Sequence, residues 1–161
     1  MERGGNYIAA KFLNTPDITA QFDPQDIELN NRLSLLSYLG ILVLIPIFLV
    51  KRSRFAKFHA NQGLVLLIAD VAINLVLTIL KLIVGALRSG LMSLLYRVAG
   101  GGVIVTLGSV VGGAVNVVFW LITVLVSAAL IALAVLGIIN AVKGRAKELP
   151  LIGRFRILKD F

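Results

Sequence analysis

Three stretches of this chain carry almost no charge, and they set its class. Leu33–Val50 has no charged residue, Gly63–Leu87 has only Asp70 and Lys81, and the 45 residues between Arg97 and Lys143 have none. A helix needs about 20 apolar residues to cross the hydrocarbon core of a bilayer. The pattern predicts an all-α integral membrane helical bundle with three transmembrane helices, at about 33–50, 63–87 and 114–142. The first expected span is just long enough, about 27 Å of helix. Pro46 lies within it and cannot donate to the carbonyl of Leu42, which predicts a helix kink.

Residues 88–113 break the pattern. Gly100, Gly101, Gly102, Gly108, Gly112 and Gly113 fall within fourteen residues, and glycine at this density weakens a helix. A Gly-rich interfacial or re-entrant segment is expected there. A full crossing, giving four transmembrane helices, is the alternative. Gly108 and Gly112 also match the GxxxG helix-pairing spacing.

Composition agrees with this class. The chain is 58% hydrophobic with a mean hydropathy of +0.95, against about 45–50% apolar for ordinary soluble domains. Its 161 residues leave no room for a separate soluble enzyme domain. Residues 1–31 form a polar, partly mobile N-terminal segment without the apolar core of a signal peptide. Within it, Asp23-Pro24 is a helix-start signal.

The charge distribution predicts topology. Residues 51–62 hold four bases and no acid, and 143–161 hold six bases against two acids. Residues 1–32 hold three bases against five acids. Basic flanks stay in the cytoplasm. With three spans, the N-terminus is expected outside and residues 143–161 form a basic cytoplasmic tail. Both basic segments suit anionic lipid headgroups.

Candidate chemistry is sparse. The chain has no cysteine and one histidine, too few for a zinc-type cluster. No nucleophile–base pair or paired carboxylates stand out, and no Gly-Lys-Ser/Thr follows the glycine run. The expectation is a non-enzyme without metal or cofactor, and without a nucleic-acid partner. Asp70, Asn74, Thr78 and Lys81 fall within about 80° on a helical wheel. They form an intramembrane polar stripe, read either as interhelical glue or as a transport path. Asn116, Thr123 and Ser127 form a second polar face on span three. At the membrane entry, Lys51, Arg52, Arg54, Lys57, His59, Asn61 and Gln62 form an interfacial motif. There Asn61 is expected to cap a helix, and His59 to meet headgroups or the tail and to titrate near neutral pH.

Three blocks carry a resemblance: Ser37-Tyr38-Leu39-Gly40 through Pro46, Ser53-Arg54-Phe55-Ala56-Lys57-Phe58-His59-Ala60-Asn61-Gln62-Gly63-Leu64, and Gly137-Ile138-Ile139-Asn140-Ala141 with Gly144 and Lys147-Glu148-Leu149-Pro150-Leu151-Ile152-Gly153. The chain resembles a family of small bacterial membrane proteins of unknown function, itself similar to the twenty-kilodalton Tic subunit of chloroplast inner-envelope import. The resemblance implies a multi-pass protein of the bacterial cytoplasmic membrane. Its expected role is a scaffold or subunit assisting transport or protein translocation, with a membrane protein partner or a second copy. A stand-alone small-molecule or ion permease, or a membrane immunity or stress protein, is the alternative.

Overall fold

The computed structural model describes residues 14–99 and 101–158. The early part of the N-terminal segment, expected to be mobile, lies at 1–13 and so outside the described residues. All regular structure described is helical, apart from one isolated antiparallel bridge between Asp17 and Lys147. Among the described residues four α-helices follow one another: α1 (Pro24–Ser34), α2 (Leu44–Leu49), α3 (Arg54–Ala99) and α4 (Gly101–Val142). Contacts divide the chain into two compact units. One holds the residues up to Ala69 and those from Leu130, the other Asp70–Ala129. Helices α3 and α4 contribute to both.

In the first unit α1 starts as its sequence dictates. Asp23 accepts from Gln25 N–H at 2.9 Å, and Pro24 takes the first position, where no donor is needed. The expected span at 33–50 is not one helix. After α1 come 3-10 turns at Leu35–Tyr38 and Gly40–Val43, and then six residues of α2. Gly40, at φ +59°, sits between the turns in a conformation other residues resist. Pro46 lies in the first turn of α2, where a missing N–H costs nothing, so it helps to start a helix instead of kinking one. The Asp26 carboxylate accepts from Phe55 N–H at 3.0 Å. The chain before the apolar stretch thus meets the chain after it. The expected span at 33–50 is thus a series of short helical pieces whose flanks meet, and a continuous spanning helix is not found there.

Helix α3 is capped twice. Ser53 Oγ accepts from Ala56 N–H at 2.9 Å, and Asp26 takes the Phe55 donor. Phe22, Phe55, Phe58 and Ala146 form one buried cluster, with Phe22 5.8–6.0 Å from the two other rings. Tyr38, Leu66, Ala141 and Leu149 form another.

Residues before α1 bond to the tail. Ile18 N–H donates to Ala146 O and Glu148 N–H to Pro16 O, both at 3.0 Å. Ala146 N–H also donates to Thr19 Oγ1 at 2.8 Å. These bonds tie residues 16–19 to residues 146–148.

The expected spans 63–87 and 114–142 fall inside α3 and α4, two helices apolar and long enough to cross a membrane. Their most apolar windows are only 17% and 11% buried. Core helices of a soluble protein would be mostly buried. The Gly-rich segment is helical on both sides of residue 100, not irregular. In the second unit α3 and α4 run antiparallel, with glycines at the contact. A Cβ at Gly101 would meet the Tyr96 ring at 2.7 Å, and one at Gly108 the Met92 side chain at 3.3 Å. The cost of glycine in a helix is offset by close approach.

Gly63 is the tightest such point in the first unit. A Cβ there would lie 1.7 Å from the Ser37 carbonyl oxygen, which belongs to rigid backbone. Gly90 faces open space. Gly63→Ala is expected to cost about 1–3 kcal/mol and to lower the melting temperature in detergent. Gly90→Ala should leave it unchanged or raise it. Equal behaviour of the two variants would contradict the packing described.

Candidate functional site

The first turns of α3 carry polar side chains that no lipid-facing helix needs. His59, Asn61 and Gln62 are all at most 1% exposed. Asn61 Nδ2 donates to Phe155 O at 2.7 Å, and Asn61 Oδ1 accepts from Ile157 N–H at 2.7 Å and Leu158 N–H at 2.9 Å. Gln62 Oε1 accepts from Leu149 N–H at 3.2 Å, and Gln62 Nε2 donates to Lys147 O at 3.4 Å. Two amide side chains therefore hold a tail that forms no helix of its own. Tyr38 Oη is 2.8 Å from His59 Nδ1, a hydrogen bond in either imidazole tautomer, and 3.4 Å from Gln62 Oε1.

His59 is packed edge-on against Phe55, Phe58 and Tyr38 at 4.6–5.8 Å. Its Nε2 and Ser37 Oγ are buried without a hydrogen-bond partner of good geometry. These positions correct two expectations. Asn61 is not a helix cap, because α3 begins at Arg54 and Ser53 fills that role. His59 meets neither headgroups nor water, because the aromatic cluster encloses it; of its two expected partners it reaches the tail, at the backbone of Arg145. Lys51, Arg52 and Arg54 of the same motif are exposed and Lys57 is half-buried. The Arg54 guanidinium carbon lies 6.0 Å from the Phe22 ring centroid, within cation–π range.

Outside the apolar helices, Asp17 anchors the turn that meets the tail. Thr19 donates to its carboxylate through both hydroxyl and backbone N–H, holding it below the ordinary aspartate value of 3.8. Nearby Arg145 and Lys147 act in the same direction.

The polar stripe of α3 closes on itself. Asn74 Nδ2 donates at 2.9 Å to both the carboxylate and the carbonyl of Asp70, one turn earlier. Thr78 Oγ1 donates to Asn74 O at 2.8 Å. Asn74, Thr78 and Lys81 line a shallow cleft of about 240 Å³ with Phe119, Trp120 and Thr123 of α4. Of the second polar face, Thr123 thus joins the stripe, while Asn116 and Ser127 do not line the cleft.

Arg88 is a contact that sequence reasoning missed. Its Nη1 donates to Gly108 O at 2.6 Å, and a Cβ at Gly112 would lie 2.0 Å from that nitrogen. The GxxxG spacing here seats an arginine side chain. The signal was an arginine inside an apolar helix, 20 residues before the first glycine of the pair. Among the described residues, no three His, Cys, Asp or Glu side chains are grouped to hold a metal ion. These sites can hold and align segments. Apart from His59 Nε2 and Ser37 Oγ, their buried polar groups bond to one another or to backbone.

No protein-family model, no curated protein and no solved structure matches this chain.

Asn61→Ala removes three hydrogen bonds to the tail and leaves its donors and acceptor unpaired. At about 1 kcal/mol or more for the set, local opening of the tail should rise at least about fivefold. Trypsin cleavage after the exposed Arg154 and Arg156 reads this opening. Cleavage at the wild-type rate would show that Asn61 does not hold the tail.

Proposed function

We propose that this chain is a non-enzymatic integral membrane scaffold that works as one subunit of a larger assembly. The assembly belongs to the transport or polypeptide-translocation class that the sequence resembles. One observation carries the reading: the apolar helical surface is longer than a bilayer can cover. Helix α3 has 46 residues and α4 has 42, about 69 Å and 63 Å of helix. The hydrocarbon core is about 30 Å thick. Even a tilt of 40° leaves α4 about 48 Å tall. Val103, Val105 and Val110, near the start of α4, are 60–72% exposed. With one end of the helix pair in lipid, protein is the remaining cover for such surface at the other.

In this reading α3 and α4 cross the membrane, and residues 35–50 dip in and return. The N-terminal segment, residues 51–62 and the tail share one face. That face carries ten of the sixteen bases within 51–62 and 143–161, which favours the cytoplasmic side. A stand-alone permease is the weaker reading, because the hydrogen bonds of Asp70, Asn74 and Thr78 run within their own helix.

A photo-crosslinking amino acid at Val105 or Val110, activated in native membranes, tests the assembly. The expected product is a protein adduct, either a dimer of the 17.3 kDa chain or a defined heteromer. The same probe at Val135, 47% exposed and nearer the tail, should give mainly lipid adducts. Lipid adducts alone at all three positions would reject the subunit reading.

A further inference from the structure

A cleft of about 740 Å³ opens in the first unit between α1 and the corner joining α2 to α3. Its lining divides by chemistry. Lys51, Arg52 and Arg54 supply three bases, while Leu29, Phe48 and Leu49 supply an apolar flank. Two acids, Asp23 and Asp26, also line it, and both are engaged. Asp23 accepts from Gln25 N–H, and Asp26 accepts from Phe55 N–H and from Asn30 Nδ2. Lys51 and Arg52 are exposed and make no ion pair among the described residues. Leu29, Phe48 and Leu49 are 63–78% exposed, so together they give the basic cleft a contiguous apolar flank.

We infer that this cleft binds one acidic phospholipid, its phosphate against Lys51 and Arg52 and an acyl chain along Phe48 and Leu49. The inference rests on the membrane reading given above. Charge complementarity selects an anion, since three bases face two acids whose oxygens already accept N–H bonds. The apolar flank selects a lipid over a free anion, because a soluble phosphate would leave that surface bare. The position fits as well. The bases lie within three residues of the α3 start, and the exposed apolar pair sits in the returning stretch just before them. Long basic side chains hold headgroups from this level while their stems cover apolar surface.

The test uses the purified full-length chain in a neutral detergent, with bound lipid counted by native mass spectrometry. Phosphatidylglycerol should be retained one to one, and phosphatidylcholine far less. The double variant Lys51→Gln with Arg52→Gln removes two exposed charges and should weaken phosphatidylglycerol binding roughly thirtyfold. The swap of Lys51→Arg with Arg52→Lys should retain binding. Phe48→Ser with Leu49→Ser should weaken the lipid as well. Equal retention of the two lipids, unchanged binding by the charge-removed variant, or full displacement by millimolar inorganic phosphate would each overturn the lipid site. Carbonate extraction of native membranes separates this outcome from the reading it rests on. Protein that stays in the pellet but shows no lipid preference overturns the site alone. Protein that is extracted but still takes short-chain phosphatidylglycerol one to one overturns the spans and supports the site.

Discussion

The fold depends on how the tail satisfies its backbone. Residues 145–158 form no helix, so their N–H and C=O groups need partners from elsewhere. Asn61 and Gln62 supply five of these bonds from the first turns of α3. Both are buried, so each lost bond would leave a desolvated polar group. The rest of the first unit is built on this connection. The held tail offers Ala146 and Glu148 to the segment at 16–19, and brings Ala146 into the Phe22–Phe55–Phe58 cluster. Asp26 then closes the loop from α1 to α3.

The same physics divides the molecule chemically. Where the polar groups of three segments meet, side chains and backbone pair with one another. Beyond them α3 and α4 satisfy their own backbone and present apolar side chains outward, as lipid requires. The polar stripe from Asp70 to Lys81 and the basic side chains of Arg88 and Arg97 interrupt that surface, and Arg88 finds a carbonyl acceptor at Gly108. The two amides hold the tail in the first unit, and α3 and α4 are each apolar and long enough to cross a membrane.

The class was legible because charge and hydropathy are local properties. Spans 63–87 and 114–142 lie inside observed helices for that reason. The Asp23-Pro24 start was legible because a cap and its proline act within one turn. The stretch at 33–50 was not, since its apolar count matches a span. Its breaks depend on Gly40 taking a positive φ and on Asp26 reaching Phe55 across 29 positions. The Gly-rich segment was misjudged because propensity counts what glycine costs alone. Tyr96, Met92 and Arg88 occupy the space that the missing side chains leave. His59, Asn61 and Gln62 stood out as polar residues at a span entry, but their partners lie about 85 to 97 residues away for the amides and could not be read from spacing.

If residues 16–19 are bound to residues 146–148 in the membrane as in the structure, the two segments share one membrane face. Asp17 and Lys147 face each other across an antiparallel bridge, where Cα atoms are about 4.5–5.5 Å apart. That separation suits a disulfide, and the chain has no cysteine of its own. The double variant Asp17→Cys with Lys147→Cys, oxidised in native membrane vesicles, should form an intramolecular disulfide in most molecules. The reduced thiols should be reached from the cytoplasmic face and not from the opposite one. Two thiols that never join, and that an impermeant reagent labels from opposite faces, would contradict the account.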